Sequence, residues 1–390
     1  MPKSYIIITG KPRSGKSTLV LKLSEKLKSM NISIAGLITP ELKDQNRYGF
    51  EIIGISSGKR KILALEKSRT SEKSKYKLGK YIVFTENFVE IFEEEIKNPK
   101  DVFIIDEVGP MEIPSRKIQG SFLEELKKSE IKTVIITVKK DMVQEIKDFF
   151  TQDNIIDIDE IGADLAYAYA LEKSTGTDAF LFDLDGVIID SSEFHKQSWV
   201  VLMSSKGINF SEEDFKITFG KRNEEILKDY FPDLPESEIK KMSYEKEELY
   251  RKLAKGNIKP IDGSIDTLRL IRENGFKIAL VSSTPKENID FIFKELKLDN
   301  FFDAVVSGTD IKQGKPNPEC YLVAAAKLGV KPQRCYVVED SEHGLEAGKR
   351  SGTKCIGITT THKKLKNADI VVNNFYEMNE LIKKVILELK

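Results

Sequence analysis

A glycine-rich run near the start of the chain has the residue types that bind phosphate. Its residues match G-x-x-x-x-G-K-[ST], after the apolar run YIIIT and before the helical stretch LVLKLSEKLKS. In such a loop, backbone N–H groups close around a β-phosphate, the lysine reaches β- and γ-oxygens, and the serine ligates Mg²⁺. The sequence therefore predicts a nucleotide-binding loop made of Gly10, Lys11, Pro12, Arg13, Ser14, Gly15, Lys16, Ser17 and Thr18.

A pair of carboxylates follows a second apolar run, VFII, and ends it as Asp106-Glu107. Beside a phosphate-binding loop, an aspartate at such a strand end holds Mg²⁺, and the next carboxylate polarises the attacking water. We therefore predict that Asp106 and Ser17 bind the metal and that Glu107 and Lys16 are catalytic. The alternative is a pair of exposed carboxylates without a role.

Two further aspartates, Asp183 and Asp185, come at the end of the run AFLF, directly before Gly186. Carboxylates two residues apart in an extended segment lie on the same side of it. One of them can attack phosphorus while the other handles the proton of the leaving group. The pair therefore predicts a phosphoryl-transfer site with a carboxylate nucleophile.

Other polar residues follow later strands in the same half of the chain. Ser282 and Ser283 come after KIALV, Lys315 lies in GKPNPE, and Glu339-Asp340 ends CYVVED. These residues supply hydroxyls for phosphoryl oxygens, a cation for developing charge, and carboxylates for Mg²⁺. Each would be unremarkable alone, but their order along one sheet favours a single site.

The elements that must position these residues are buried strands of parallel sheets. Apolar, β-branched runs recur, and amphipathic helical stretches follow most of them, which indicates βαβ units in an α/β fold. The runs begin at Tyr5, Val102, Thr133, Ala179, Lys277 and Cys335. We place a domain boundary near Ser174, which gives domains at 1–174 and 178–390. The second has a core at 178–191 and 260–390 and a helical insert at about 192–259.

The composition limits the classes of function. The chain has 390 residues, with 62 Lys and Arg against 62 Asp and Glu. A net charge of zero argues against binding to nucleic acid or to an anionic membrane by bulk electrostatics. The first apolar run is too short for a signal peptide, and the three cysteines form no disulfide or zinc pattern. We expect a cytoplasmic protein with neither nucleic-acid nor membrane partners; the sequence leaves the oligomeric state open.

Residues 1 to about 172 resemble the thermophilic or cancer-related nucleoside-triphosphatase family. The matching stretches are TGKPRSGKST, GLITPEL, RYGFEII, SSGKRKILA, FIIDEVGPMEI and FLEEL. The resemblance implies a P-loop domain that hydrolyses ATP, GTP and other nucleoside triphosphates. Arg47, in RYGFEII, is either an arginine directed at phosphate or a solvated cation.

Residues 178–390 resemble the haloacid-dehalogenase superfamily, in its group of β-phosphoglucomutases and phosphoglycolate phosphatases. The resemblance implies a Rossmann-like core with a helical cap, an aspartyl-phosphate at Asp183, and acid and base roles for Asp185. It also implies Mg²⁺ bound by Asp183, the Asp185 carbonyl and Asp340, often with help from Glu339, and phosphate held by Ser282 and Lys315. The predicted fold is therefore a P-loop NTPase parallel-sheet domain followed by a capped haloacid-dehalogenase domain.

The cap should close over the site, exclude water and choose the leaving group. Its predicted substrate-facing residues are His195, Lys221 and Arg222. The stretch SSEFHKQSW resembles a phosphoglucomutase segment in which the matching histidine helps proton transfer. Alternatively, His195 packs beside Trp199 on a helix, and Lys221 and Arg222 form a solvated turn.

The sequence thus predicts a bifunctional, Mg²⁺-dependent hydrolase of a nucleoside triphosphate and of a small phosphomonoester. Two alternatives remain open. The halves could be a nucleotide or small-molecule kinase and a hexose-phosphate mutase, although no arginine-rich lid is evident in the first half. The P-loop half could also be a nucleotide-gated module that controls the phosphatase.

Overall fold

The computed structural model of the chain describes residues 4–71, 76–97, 100–108, 122, 124–147, 154–218 and 222–387. These form two compact units, Met1–Gly176 and Thr177–Lys390. The α/β architecture predicted from the sequence is confirmed in both units. Among the described residues, no helix has both the length and the apolar character that crossing a bilayer requires.

The first unit contains a mixed sheet with the strand order β10-β1-β9-β8-β2-β4-β5-β7-β6, and β3 pairs with β4. The strands of its parallel part are β1 (Ser4–Gly10), β2 (Ile34–Ile38), β8 (Val102–Val108), β9 (Thr133–Lys139) and β10 (Asn154–Asp157). The antiparallel part has β3 (Glu41–Lys43), β4 (Arg47–Gly54), β5 (Arg60–Glu66), β6 (Tyr76–Leu78) and β7 (Tyr81–Val83). The sequence analysis anticipated β1, β8 and β9 of the parallel part, but neither β2 nor the antiparallel part.

Strand β1 is apolar throughout because both of its faces are buried. Tyr5 and Ile7 pack into one hydrophobic cluster, while Ile6 and Ile8 pack into another on the opposite face. A strand that is covered on both faces reads as a continuous apolar run. The phosphate-binding loop follows directly, at the carboxyl end of this strand, which lies between β10 and β9.

The helices of the first unit cover both faces of its sheet. They are α1 (Lys16–Ser29), α2 (Thr85–Lys97), α3 (Val143–Lys147), α4 (Ile158–Ile161) and α5 (Ala163–Thr175), with short 3₁₀ helices at Lys67–Arg69 and Lys140–Met142. Gly162, whose φ of 82° falls in the left-handed region, separates α4 from α5.

The second unit contains a parallel sheet with the strand order β13-β12-β11-β14-β15-β16. Its strands are β11 (Ala179–Phe182), β12 (Lys277–Val281), β13 (Ala304–Val306), β14 (Cys335–Glu339), β15 (Lys354–Ile358) and β16 (Ile370–Val372). Strand β11 lies in the middle, between β12 and β14. The residues that follow these three strands therefore meet at one edge of the sheet.

Helices of the second unit form the cap and flank the sheet. The cap helices are α6 (Ser192–Ser205), α7 (Glu212–Thr218), α8 (Asn223–Tyr230) and α9 (Glu236–Ala254). The others are α10 (Ser264–Glu273), α11 (Lys286–Leu296), α12 (Glu319–Leu328), α13 (Glu342–Ser351), α14 (Phe375–Leu381), a 3₁₀ helix at Pro332–Arg334 and a π-helix at Ile382–Leu387.

The cap has a hydrophobic core of its own. Trp199 and Met203 of α6 pack with Leu227 of α8 and Met242 of α9. This separate core lets the four helices hold together as a body beside the sheet.

Candidate active sites

The phosphate-binding loop is shaped by two glycines at its ends. Gly15 has a φ of 96° and caps the N-terminus of α1. A Cβ on Gly10 would lie 2.6 Å from Ser14 Oγ, so glycine leaves room for that hydroxyl. Ser14 Oγ is itself buried without a hydrogen-bond partner in the described part of the chain. Such an orphaned hydroxyl fits a loop whose partner is a bound phosphate. Pro12, Arg13 and Thr18 are exposed around it.

Lys16 is 9% exposed, and its ammonium group spans the loop. It donates hydrogen bonds to the carbonyl oxygens of Gly10, at 2.8 Å, and Lys11, at 2.9 Å. The backbone N–H of Lys11 in turn donates to Asp159 Oδ2, at 2.7 Å. The Asp159 carboxylate therefore accepts from an N–H group that would face an anion in a phosphate-binding loop. The sequence analysis did not identify Asp159.

Asp106, at the end of β8, faces the start of α1. Its Oδ1 accepts hydrogen bonds from Ser17, at 3.1 Å, and from Thr137 of β9, at 3.0 Å. Asp106 is 4% exposed, and burial raises its pKa to about 6 despite these two hydroxyls. A buried carboxylate that accepts hydrogen bonds from hydroxyls, one of them the serine of the loop, is a suitable ligand for a hard cation such as Mg²⁺.

Glu107 leaves the regular strand. Its φ is 59°, and the register between β8 and β9 shifts here. Its backbone N–H donates to Thr137 Oγ1, at 2.6 Å, and its carboxylate lies 3.9 Å from Lys139 Nζ. Thr137 thus fixes both carboxylate-bearing residues. In the sequence it is only the second of two threonines in the apolar run TVIITV.

Arg47 lies in the antiparallel part of the sheet. It forms an ion pair of 2.6 Å with Glu41 and contacts Tyr81 Oη at 3.3 Å. The guanidinium therefore has protein partners in this structure.

In the second unit, Asp183 follows β11 and meets Lys315. The Lys315 ammonium group donates to Asp183 Oδ1, to Glu339 Oε1 at 2.6 Å and, more weakly, to the Val281 carbonyl. Burial disfavours the charged lysine, but Asp183 and Glu339 outweigh it and raise the pKa of Lys315. The pKa of Asp183 is also raised, because burial and the nearby carboxylates outweigh the lysine.

Three carboxylates crowd this edge of the sheet. Ligand atoms of Asp183, Glu339 and Asp340 lie within 4.8 Å of one another, and all three residues are buried. Burial, and then the charge of Glu339, raise the pKa of Asp340 to about 7. One lysine cannot balance three buried carboxylates, so the cluster fits a divalent cation that takes oxygen ligands.

Glycines and hydroxyls hold this acidic cluster in place. A Cβ on Gly186 would overlap Asp340 Oδ2, so only glycine lets the turn approach this carboxylate. Thr361 donates to the same oxygen, and Tyr321 donates to Glu339 Oε1 at 2.7 Å. Neither donor was identified from the sequence.

Asp185 has a different environment from Asp183. Ser191 donates to its Oδ1 at 2.5 Å, and Thr284 donates to its Oδ2 at 2.8 Å. His195 Nε2 lies 3.6 Å from Oδ1. Burial acts to raise the pKa of Asp185, but the hydrogen bonds and the histidine outweigh it and lower the pKa to about 2.

The other predicted phosphate ligands lie in the loop after β12. Ser282 is buried, and its Oγ accepts a hydrogen bond from the Thr284 N–H at 3.0 Å, whereas Ser283 is exposed. The sequence analysis did not identify Thr284, although it occupies the same loop.

The predicted cap residues differ in what surrounds them. His195 stacks on Tyr250, with ring centroids 4.1 Å apart, and its Nε2 faces Asp185. It therefore does more than pack beside Trp199. Arg222 precedes α8 and lies close to Gly314, the residue before Lys315. A Cβ on that glycine would lie 3.2 Å from Arg222 Nε. Lys221 lies outside the described residues.

Comparisons with known proteins match a different family to each half of the chain. Residues 5–150 match the profile of an NTPase family, and residues 180–358 match that of the haloacid dehalogenase-like hydrolases. The chain is 40% identical to the nucleoside-triphosphatase THEP1 of Methanocaldococcus jannaschii over 147 residues, which are 37% of this chain and 82% of that protein.

Two further relatives match the second half. A phosphorylated carbohydrates phosphatase of Thermotoga maritima is 31% identical over 184 residues, covering 46% of this chain and 83% of that protein. The crystal structure of a β-phosphoglucomutase from Clostridium difficile covers 54% of this chain and 98% of its own, with 28% identity and a TM-score of 0.50. Both resemblances seen in the sequence are thereby confirmed. The chain therefore belongs to two hydrolase families, with an NTPase domain in its first half and a haloacid dehalogenase-like hydrolase domain in its second.

Proposed function

We propose that the chain is a Mg²⁺-dependent enzyme that converts a nucleoside triphosphate to the diphosphate and phosphate in its first unit. In its second unit it hydrolyses a small phosphomonoester, with sugar phosphates as the favoured class, through an aspartyl-phosphate. The observation that carries the proposal is that each unit has a buried lysine and buried carboxyl chemistry where its parallel strands end, with Lys16 and Asp106 in the first unit and Lys315 with three carboxylates in the second.

In the first unit, Lys16 would exchange its loop carbonyls for the β- and γ-oxygens of the triphosphate. Ser17 and Asp106 would hold Mg²⁺, which neutralises charge on the phosphates when it is bound. Glu107 would polarise the water that attacks the γ-phosphorus. The bond to the β-γ bridging oxygen breaks, and the products are a diphosphate and phosphate.

In the second unit, an oxygen of Asp183 would attack phosphorus while the bond to the leaving oxygen breaks. Asp185 would give that oxygen its proton. Water would then attack the phosphorus of the aspartyl-phosphate, give its proton to Asp185 and release phosphate from Asp183. Lys315 and Ser282 would hold the phosphoryl oxygens, and Asp183, the Asp185 carbonyl and Asp340, with Glu339, would hold Mg²⁺.

The different surroundings of the two aspartates support these roles. Lys315 directs an oxygen of Asp183, as a nucleophile requires, whereas Asp185 is held by two hydroxyls and faces His195. In this arrangement Asp185 is ionised and suited to take a proton from water. A phosphoryl group bound beside it would raise its pKa through like charge and suit it to donate a proton.

The test is Mg²⁺-dependent phosphate release from a panel of nucleoside triphosphates and phosphomonoesters, with the wild type, Lys16→Ala and Asp183→Asn. Lys16→Ala should abolish only triphosphate hydrolysis, and Asp183→Asn only monoester hydrolysis. If triphosphate hydrolysis survives Lys16→Ala but is lost in Asp183→Asn, the first unit is not the triphosphatase. The nucleotide-gated alternative would then be preferred.

The second candidate for the haloacid dehalogenase-like unit is a sugar-phosphate mutase. The contact of His195 with Asp185 and the similarity to a β-phosphoglucomutase favour it. A mutase would transfer the phosphoryl group from Asp183 back to a sugar and would need a sugar bisphosphate to prime it. Isomerisation of glucose 1-phosphate that requires such a primer would support the mutase, and phosphate release without it would exclude the mutase.

A further inference from the structure

A buried polar cluster joins the cap to the core behind Asp185, and the proposed reaction does not use it. Lys246 and Glu247 of α9 are 2% and 6% exposed. The Lys246 ammonium group lies 2.7 Å from His195 Nδ1 and 2.9 Å from Glu247 Oε1. An ammonium group has donors only, so His195 Nδ1 accepts, and the ring carries its proton on Nε2, which faces Asp185.

Glu247 is the centre of this cluster because its two oxygens bind partners on different bodies. Oε1 accepts a hydrogen bond from Asn223 of the cap, at 2.6 Å, as well as from Lys246. Oε2 accepts one from Asn288 of the core helix α11, at 2.5 Å. The Asn288 carboxamide also accepts a hydrogen bond, because Arg251 of α9 donates to its Oδ1 at 2.6 Å.

Two routes lead from this carboxylate to Asp185. In the cap, Glu247 holds Lys246, which holds His195. In the core, Asn288 lies in the first turn of α11, directly after the loop in which Thr284 donates to Asp185. Both routes are complete only when cap and core meet as they do here.

We propose that Glu247 is a positioning residue that locks the cap to the core in the arrangement that places His195 and Thr284 against Asp185. The inference rests on the proposed phosphatase function of this unit. A buried carboxylate that loses a donor pays the full cost of desolvation, so Glu247 favours the arrangement in which all three of its donors are present. Opening the cap removes the Asn288 donor, and closing it restores the aligned Asp185.

This role has a signature that a merely structural role lacks. Asp185 must protonate a sugar alkoxide as it leaves, whereas p-nitrophenolate leaves without that help. Loss of Glu247 should therefore reduce kcat on a sugar phosphate far more than on p-nitrophenyl phosphate. General loss of folded protein would reduce both equally.

The experiment compares Glu247→Gln with Glu248→Gln in the full chain, using p-nitrophenyl phosphate and the best substrate of a sugar-phosphate panel. Glu248 is the matched control, since it follows on the same helix, is 48% exposed and pairs with Lys252 at 2.9 Å. We expect Glu247→Gln to lower kcat on the sugar phosphate about 10- to 100-fold, which is part of the roughly 10²- to 10⁴-fold that general acid catalysis contributes. On p-nitrophenyl phosphate the decrease should be less than about 3-fold. Glu248→Gln should match the wild type.

Asn288→Ala provides a second variant in case Glu247→Gln does not fold. It should show the same substrate-selective loss, and the double variant should lose little more than either single one, because the residues act as one contact. Equal losses on both substrates, additive losses, or no loss in either single variant would overturn the inference. If the wild type hydrolyses no monoester at all, the proposed function fails instead, and the Glu247 comparison is not reached.

Discussion

The two candidate sites have opposite balances of charge. In the first unit, Lys16 donates to backbone carbonyls, and the buried Asp106 accepts hydrogen bonds from two hydroxyls. In the second, Lys315 donates to Asp183 and Glu339, and Asp340 adds a third carboxylate. In the proposed reactions, the first site would neutralise its ligand with backbone N–H groups, whereas the second would supply an anionic nucleophile, which is consistent with its concentration of carboxylates.

The difference follows from the chemistry proposed for each unit. A water molecule attacks in the first, so the protein needs positioned dipoles and one metal-binding carboxylate. A side chain attacks in the second, so a carboxylate must be ionised beside a phosphate, which the lysine and a divalent cation make possible. The second site should therefore depend more strongly than the first on its cations for stability.

The largest expected effect comes from removing each lysine in turn. Lys315→Met leaves Asp183 and Glu339 buried without their cation and should lower the free energy of unfolding by about 3–5 kcal/mol at neutral pH. Lys16→Met removes only a donor to carbonyls and should cost about 1 kcal/mol. Each variant should lower the activity of its own unit at least about 10²-fold. Urea denaturation and phosphate release would measure both effects. Equal losses of stability would contradict the comparison.

The second prediction concerns pH in the absence of metal. Asp106 and Asp340 have pKa values raised from 3.8 to about 6 and about 7. The native state then binds more protons than the unfolded state between about pH 4 and 7, so stability should fall as pH rises through this window. For Asp106 the full effect is about 3 kcal/mol. Unfolding free energies measured in EDTA at several pH values would test this. Asp106→Asn and Asp340→Asn should each have a flatter profile than the wild type, and curves parallel to the wild type would refute the prediction.

Mg²⁺ should reverse this destabilisation mainly in the second unit. At 100 times its dissociation constant, a ligand that binds only the native state adds about 2.7 kcal/mol to the free energy of unfolding. Asp340→Asn should lose most of this gain. Glu346→Gln serves as the control because Glu346 lies on α13 in a surface pair with Arg350. Thermal unfolding with and without Mg²⁺ would measure this stabilisation. An equal stabilisation of Asp340→Asn and the wild type would contradict the assignment of the metal to this site.

The sequence predicted the strands and the first polar residues after them, because both arise from local patterns. A strand buried on both faces needs a continuous apolar run, as in YIIIT and AFLF, and parallel strands bring their ends to one edge. Asp106, Asp183 and Asp340 could therefore be identified from local patterns alone. The parallel strands β2, β13, β15 and β16 and the antiparallel strands β3 to β7 were missed. Several of the antiparallel strands are half-exposed and lack such runs.

The residues that hold those carboxylates could not be predicted, because their contacts join segments far apart in the chain. Thr137 is one hydroxyl in an apolar strand, Tyr321 belongs to a helix whose spacing indicates only packing, and Glu247 is one of many glutamates on α9. The contact that each of them makes can be inferred only once the sheet order and the cap position are known. Sequence therefore reveals the reacting groups more readily than their supports.

The smallest expected effects come from removing one such support in each site. Thr137→Val leaves the Glu107 N–H without its acceptor and Asp106 without one of its two donors. It should cost about 1–3 kcal/mol of stability, and we expect triphosphate hydrolysis to fall about 10-fold.

Tyr321→Phe removes one donor from Glu339, which keeps its hydrogen bonds from Lys315 and Ser341. It should cost about 1 kcal/mol, with a decrease of about 3-fold in monoester hydrolysis. Assays of both activities in both variants would show whether each effect stays within its own unit. A larger loss for Tyr321→Phe than for Thr137→Val would contradict this expectation and show that the carboxylate-rich site depends on its hydroxyl donors more than the first site does.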